Sequence, residues 1–305
     1  MKTIAVKFLS FILTLMLAMC GMVGCSNASG SQSGGTTAQV PSENDAAGPI
    51  NVVSREEGSG TRSAFVELFE VQIANADGKK VDATTLDAVI TNSTSVMLAT
   101  VAGDVNAIGY ISLGSLNNTV TALEIDGVAA TSENVKSGAY GISRPFNIAT
   151  KGELSDAAQD FINFILSAEG QRVVSDNHYI AVVDNAPAYR SNGAHGKVVV
   201  AGSSSVTPVM EKLKEAYAAV NPNVTIEINQ SDSSTGMANT IDGICDIGMS
   251  SRALKDSEIS AGLTATKIAM DGIAVIINNN RDLRGLTREQ VREIFLGNIV
   301  DWSDI

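Results

Sequence analysis

Residues 197–222 decide how this chain folds: Lys197-Val-Val-Val-Ala201, then Gly202-Ser-Ser-Ser205, then Val206-Thr-Pro208-Val-Met210-Glu-Lys-Leu213-Lys-Glu-Ala-Tyr217, with Pro222 just beyond. The β-branched run reads as a strand and the small polar residues as a turn. The spacing of Met210, Leu213 and Tyr217 reads as the apolar face of a helix. Pro208 falls near the first helical position, where its missing N–H costs nothing. A strand that turns directly into a helix is the building unit of an α/β fold.

The same unit recurs on either side. Ile50-Asn-Val-Val runs into Ser54-Arg-Glu-Glu-Gly-Ser-Gly-Thr61 and then a helix with Phe65, Leu68 and Phe69 on one face. Val224-Thr-Ile-Glu-Ile runs into Ser231-Asp-Ser-Ser-Thr-Gly236 and a short helix closed by Gly243. The first turn of a helix carries N–H groups with no internal partner, and the macrodipole adds partial positive charge there. Small residues admit an anion to the backbone, and hydroxyls add donors, so each junction is a site for an oxyanion. Taken singly, a Ser-rich helix start is more often an ordinary N-cap. Three such starts together, with Arg55 on the strand side of one of them, favour an anion site. A guanidinium fork suits a tetrahedral oxyanion. Arg55 is expected to be oriented by Glu57, its other reading being a surface pair with Glu56 or Glu57.

The bulk composition narrows the class. In 305 residues, 44% are hydrophobic and 18% charged, enough apolar material for a large core. Formal net charge is −12, which disfavours nucleic acid and anionic lipid as partners. An anion would have to be held by local dipoles and placed cations against that field. Three cysteines and two histidines show no metal-ligand spacing, and neither a metal nor another cofactor is expected. Only Cys245 lies in the body, so no disulfide can form within one copy.

The N-terminus carries an address. Lys2 and Lys7 precede the apolar run from Phe8 to Met19, and Met22-Val-Gly-Cys25 follows. This is the pattern of a secretory signal over residues 1–24. The end of that run resembles the bacterial lipobox, whose cysteine, here Cys25, becomes the lipidated first residue; an uncleaved membrane anchor is the other reading. Loss of Lys2 and Lys7, with no acid lost, takes the net charge from −12 to −14. Residues 25–47 are rich in Ser, Gly and Thr and read as a lipidated flexible tether. The body is therefore expected outside the cytoplasm, on the outer face of the cell membrane.

Several stretches resemble the phosphate-binding lipoproteins of ABC-type phosphate importers, a periplasmic-binding-protein-like family. They are Ala201-Gly-Ser-Ser-Ser-Val-Thr-Pro208, Ser233-Ser-Thr-Gly236, Asp246-Ile-Gly-Met-Ser-Ser-Arg252, Asp271-Gly-Ile-Ala-Val and Arg55-Glu-Glu-Gly-Ser-Gly-Thr61. Ala107-Ile-Gly-Tyr-Ile-Ser-Leu113, Ser143-Arg-Pro-Phe146 and Ile294-Phe-Leu-Gly followed by Trp302 match as well. The likeness covers nearly all of residues 50–305. It implies a two-lobe α/β fold of type II, with mixed sheets flanked by helices and a ligand cleft between lobes. It implies phosphate contacts from Ser204, Ser205 and Ser233 on one lobe and Arg55, Ser59, Gly60 and Thr61 on the other. It also implies no chemistry on the ligand, a membrane permease as partner, and a monomer.

Two departures stand out. Many members carry an Asp that accepts the proton of hydrogen phosphate where this chain has Ser251, also taken as a binding residue. A hydroxyl can donate or accept, so rejection of sulfate is expected to be weaker unless another acceptor serves. The order of motifs is also exchanged: the half that normally comes second comes first, as in a circular permutation, with residues 184–196 joining the former ends. One lobe is then continuous over 141–276, and the other combines 48–140 with 277–305. The chain should cross between lobes near 141–145 and 275–278. Helix 288–296, opened by the capping-box pattern Thr287-Arg-Glu-Gln290, must dock on the N-terminal part without a covalent link there. Competing readings are a receptor for another oxyanion such as sulfate or molybdate, a sensing protein, and a nonfunctional permuted relative. An enzyme is the weakest, since Ser59 and Ser204 lack a neighbouring base in sequence.

Overall fold

The computed structural model of the chain describes residues 47–305. Cys25 and the leader lie outside the described residues. β1 (Asn51–Arg55) runs into α1 (Gly60–Leu68), the hairpin β2 (Gln72–Ala74) and β3 (Lys80–Asp82), then β4 (Val89–Thr91), α2 (Thr94–Gly103) and β5 (Ala107–Ser112). Next come β6 (Val120–Ala122), β7 (Glu124–Ile125), α3 (Ser132–Ser137), β8 (Ser143–Lys151), α4 (Asp156–Ile165) and α5 (Ala168–Asp176). Then follow β9 (Gly196–Ser203), α6 (Thr207–Val220), β10 (Val224–Ser231), α7 (Ser233–Ile241), β11 (Ile247–Ser250) and α8 (Asp256–Ser260). The last elements of note are β12 (Leu263–Asn278), β13 (Gly285–Leu286) and α9 (Arg288–Leu296).

The principal sheet has the order β10-β9-β11-β8-β12-β5-β1-β4, with β6 also on β12. β10, β9 and β11 are parallel, as are β5, β1 and β4. Between these groups lie the antiparallel strands β8 and β12. Parallel strands are covered on both faces and therefore tolerate the runs Val198–Ala201 and Val52–Val53. Beside a small cluster of Ala149, Met237, Leu254 and Leu263, two large apolar cores result. One gathers Phe65, Phe69, Tyr110, Ile273–Ile277, Ile294 and Phe295. The other gathers Phe146, Phe161, Val198, Val200, Met210, Leu213, Tyr217 and Ile268. Two cores with a strand pair running between them make the two lobes.

The first crossing falls between Ile142 and Phe146, where the core changes. The second falls earlier than the sequence suggested. Ile268 and Ala269 belong to one core and Ile273–Ile277 to the other, which puts the crossing at Met270–Gly272. The apolar run Ile273–Ile277 looks alike on both sides of that boundary. Its pairing with β5 and β6 and its packing in the first core assign it to the first lobe.

The two ends of the described chain meet. Ile50 N–H donates to the Val300 carbonyl (2.8 Å) and Trp302 N–H to that of Gly48 (2.9 Å). The buried Trp302 donates its indole N–H to Asn106 (3.1 Å), with the Arg281 guanidinium 4.5 Å from its ring centre. α9 docks through Phe295, whose ring centre is 4.5 Å from that of Phe65. Its Thr287–Gln290 capping box forms, and Gly297 closes it in the left-handed conformation (φ 79°). Segment 184–195 has no helix or strand, but it is pinned. The buried Asp160 accepts from the hydroxyls of Tyr189 (2.6 Å) and Tyr217 (2.7 Å) and from the Asn192 amide (2.9 Å).

Candidate functional site

Four helix starts converge where the lobes face each other. α1 and α2 come from one lobe, α6 and α7 from the other. α1, α2 and α7 have side-chain caps at Ser59, Ser93 and Asp232, which bond the Arg62, Val96 and Thr235 amides. α6 has Val206 at its cap position and no side-chain acceptor there. The first amides of these helices, with their aligned dipoles, give the cleft a donor-rich and locally positive lining.

Hydroxyls fill the space between them. Thr61 Oγ1 lies 2.8 Å from Ser205 Oγ, and Thr94 Oγ1 lies 3.1 Å from the same oxygen. Ser204 Oγ accepts from Arg55 Nη2 (3.0 Å) and from the Thr94 amide (3.3 Å). Ser203 Oγ lies 3.0 Å from Ser251 Oγ, and Ser233 Oγ accepts from the Ser251 amide (3.1 Å). All seven hydroxyl residues and Arg55 are buried. Every bond from Arg55, Thr61 or Thr94 to Ser204 or Ser205 crosses between lobes, as does that from the Ser234 amide to the Gly58 carbonyl (3.2 Å). Buried hydroxyls joined to one another, to Arg55 and to backbone amides form a donor set that an anion with several acceptors can engage by rotation of the O–H groups.

Arg55 is fixed from behind. Its Nε and Nη2 donate to the two oxygens of Glu56 (2.7 and 2.6 Å). Glu56, not Glu57, is therefore the orienting acid. The chain is still held to β4 at Glu56, through its amide and the Thr91 carbonyl, and turns only afterwards. The turn swings Glu57 into solvent. The Arg55 amide donates to the Tyr110 hydroxyl (3.2 Å), and the Tyr110 ring stacks on Phe65 at 3.9 Å. Burial pushes the Tyr110 hydroxyl up to about 12, so it stays a neutral strut.

Of the expected site residues, the structure brings together Arg55, Thr61, Ser204, Ser205, Ser233 and Ser251. Gly60 is at the contact itself: a Cβ there would collide with Ser233 Oγ and come within 2.7 Å of Ser251 Oγ. Ser59 is buried but apart, its oxygen capping α1 through the Arg62 amide (3.3 Å). Arg252 does not join the cluster. It is held by both oxygens of Glu258 (2.9 and 2.8 Å), whose carboxyl burial alone would raise but Arg252 and the Lys255 amide hold below the usual range. Thr94 and Ser203 are additions. Val89-Ile-Thr-Asn-Ser93-Thr94 is a fourth strand-to-helix junction of the same kind, and that repetition was the available signal. Among the described residues no group of three or more His, Cys, Asp or Glu is placed to hold a metal. No helix there is long and apolar enough to cross a membrane.

Comparison with known proteins identifies the family. The family model of the PBP superfamily domain matches residues 37–169 and 187–304. A relative named phosphate-binding protein PstS 2, from Streptococcus agalactiae serotype V, is 54% identical over 301 residues, covering 98% of each chain. A protein of the same name from Streptococcus pneumoniae serotype 4 is 45% identical over 285 residues, covering 93% of this chain and 94% of that one. Among solved structures, a phosphate-binding protein of a phosphate ABC transporter from Streptococcus pneumoniae TIGR4 superposes with a TM-score of 0.67 at 46% identity. It covers 85% of this chain and all of its own.

Proposed function

The chain belongs to the PBP superfamily, and from that premise we propose that it captures inorganic phosphate outside the cytoplasm and delivers it to an ABC importer. It is a binding protein, not an enzyme. The observation that carries this reading is the set of inter-lobe bonds from Arg55, Thr61 and Thr94 to Ser204 and Ser205. A ligand shifts a two-lobe equilibrium only if it binds the closed form better, which requires contacts on both lobes. Here donors from both lobes already point at one another. A phosphate inserted among them would exchange hydroxyl–hydroxyl bonds for charge-assisted ones, about twice as strong. The residues proposed to hold it are Arg55, Gly60, Thr61, Thr94, Ser204, Ser205, Ser233 and Ser251. Ser59 supports them by capping α1. Calorimetric titration of the mature chain with phosphate tests the reading: saturable one-to-one binding is expected, and no heat from a folded chain would sink it.

A second reading, capture of other tetrahedral dianions, has one observation in its favour. Among the described residues no carboxylate bonds to the hydroxyl cluster, and both oxygens of Glu56 are engaged by Arg55. Sulfate in excess during the same titration separates the two. Undiminished phosphate binding supports phosphate alone, and equal competition supports a general oxyanion receptor.

The finer organisation is proposed on separate grounds. The leader and Met22-Val-Gly-Cys25 support export and lipid anchoring at Cys25, with residues 26–47 as tether. Release of a Cys25→Ala variant into the medium is expected, and its retention at the membrane would refute the anchor. The exchanged order of motifs and the meeting of residues 48–50 with 300–302 support a circular permutation. It follows that a chain rejoined as 196–305 then 48–195, which keeps the segment pinned by Asp160, should fold and bind phosphate; failure to fold would count against it. The continuous lobe then runs from about residue 143 to 271 and acts as a monomer's moving half, with a membrane permease as its partner.

A further inference from the structure

Behind the hydroxyl cluster lies another buried guanidinium, that of Arg144, which bonds both to a cluster residue and to an acid beyond it. Arg144 is the second residue of β8 and stands directly across the antiparallel ladder from Asp271 of β12. Its Nε and Nη2 donate to Asp271 Oδ2 (3.3 and 3.2 Å), while Nη1 donates to the carbonyl of Ser251 (3.0 Å). Asp271 Oδ1 in turn accepts from Ser112 Oγ (3.0 Å) and from the Gly114 amide (3.4 Å). Arg144 is 2% exposed and Asp271 1%.

The placement of this chain of bonds is what matters. Arg144 and Asp271 sit on the two strands at the points where each passes from one core to the other. Ser251 belongs to the anion loop of one lobe; Ser112 ends a strand of the other and Gly114 lies in the turn after it. The series Ser251–Arg144–Asp271–Ser112 therefore runs from the binding loop, through both crossing strands, to the opposite lobe. The same corner is closed from a second side, because the Tyr179 ring occupies the space a Cβ on Gly114 would need. A buried ion pair contributes little net stability compared with apolar packing, because desolvation offsets its attraction. Its value lies in fixing one geometry.

We propose that Arg144 is a positioning residue for anion capture: paired with Asp271 across the crossing strands, it couples lobe closure to the placement of the Ser251 loop. This rests on the reading of the cleft as a phosphate site. In the closed form the Arg144 fork has three acceptor contacts at once, two on one crossing strand and one on the binding loop. Opening at the crossing strands changes their relative twist and must disturb at least one of them. The pair thus favours the arrangement in which Ser251 faces Ser203 and Ser233.

The test compares phosphate titration and small-angle scattering for the native chain, the double variant Arg144→Gln/Asp271→Asn, and Ser112→Ala. The double variant removes both charges together, so no orphan charge is left buried. Its affinity should fall roughly tenfold, within the range that coupling residues carry, while its ligand-free melting temperature stays near native. Its contraction on saturation with phosphate should shrink. Native affinity with full contraction would overturn the proposal. If the double variant does not fold, Ser112→Ala decides, since it cuts the far end of the series away from the anion. A weaker affinity at native melting temperature is expected, and native affinity would overturn the proposal. Lack of phosphate binding by the native chain would instead remove the functional reading itself.

Discussion

Arg55 concentrates the site's logic in one residue. It is the cation that bonds across the cleft, its fork is held by Glu56, and its Nη2 already reaches Ser204. Arg55→Ala should weaken phosphate binding by at least about tenfold, or about 1.4 kcal/mol, in a calorimetric titration; an unchanged dissociation constant would remove Arg55 from the site. That Arg55, Thr61 and the serines stand in small-residue loops at helix starts was legible in sequence, because each loop is a local pattern. Which acid orients Arg55 was not, since it depends on where β1 stops pairing with β4. Thr94 was equally out of reach as a contact, because its partners Ser204 and Ser205 lie more than a hundred residues away. Asp271 supplies a pH test. Burial pushes its carboxyl up to about 6 against the bonds from Arg144, Ser112 and Gly114. Tyr179, raised by burial, stays neutral beside it. The unfolded value is about 3.9, so the native chain holds this proton longer than the unfolded one does. Its contribution to stability is full below about pH 4 and lost as pH rises through about 6. The melting temperature of the native chain minus that of Asp271→Asn should therefore fall between pH 4.5 and 6.5. A rising difference would contradict the assignment.

At the scale of elements, the strand-to-helix junctions were readable because each is a local pattern: a β-branched run, small polar residues, then 3.6-residue spacing. The capping box of α9 was readable for the same reason. Thr287 accepts from the Gln290 amide (3.1 Å), and Gln290 reaches back to the Thr287 amide (2.8 Å). α9 packs Phe295 against Phe65 and Tyr110, residues from the other end of the chain, so its register cannot be set by chain connectivity there. Thr287→Ala should cost about 1 kcal/mol in denaturant unfolding, read as a shift of midpoint at constant slope. No shift would mean that tertiary packing alone holds the helix. The crossing in β12 was misplaced by sequence because a continuous apolar strand carries no mark of where one core ends. Pairing and packing draw that boundary at Met270–Gly272. The Asp160 clamp on residues 189–192 was invisible for a similar reason, since Tyr189, Asn192 and Tyr217 converge only in three dimensions.

For the whole molecule, the central claim is that one anion is held by donors from both lobes and thereby keeps them closed. The net charge is −12, so the protein's overall field would oppose an anion, whose hold in the proposed site falls to the local dipoles and Arg55. The structure is consistent with that division of labour: the guanidinium is buried, the hydroxyls are buried, and the four helix starts aim at one place. Gly60 shows how close the approach is, because even one methyl group there would press on Ser233 and Ser251. The measurement that tests the claim most directly is a crystal structure of the mature chain grown with phosphate. Phosphate oxygens within hydrogen-bond distance of Arg55, Thr61 or Thr94 on one side and of Ser204, Ser205, Ser233 or Ser251 on the other are predicted. Phosphate bound to one lobe alone, or at another place on a closed molecule, would contradict the account.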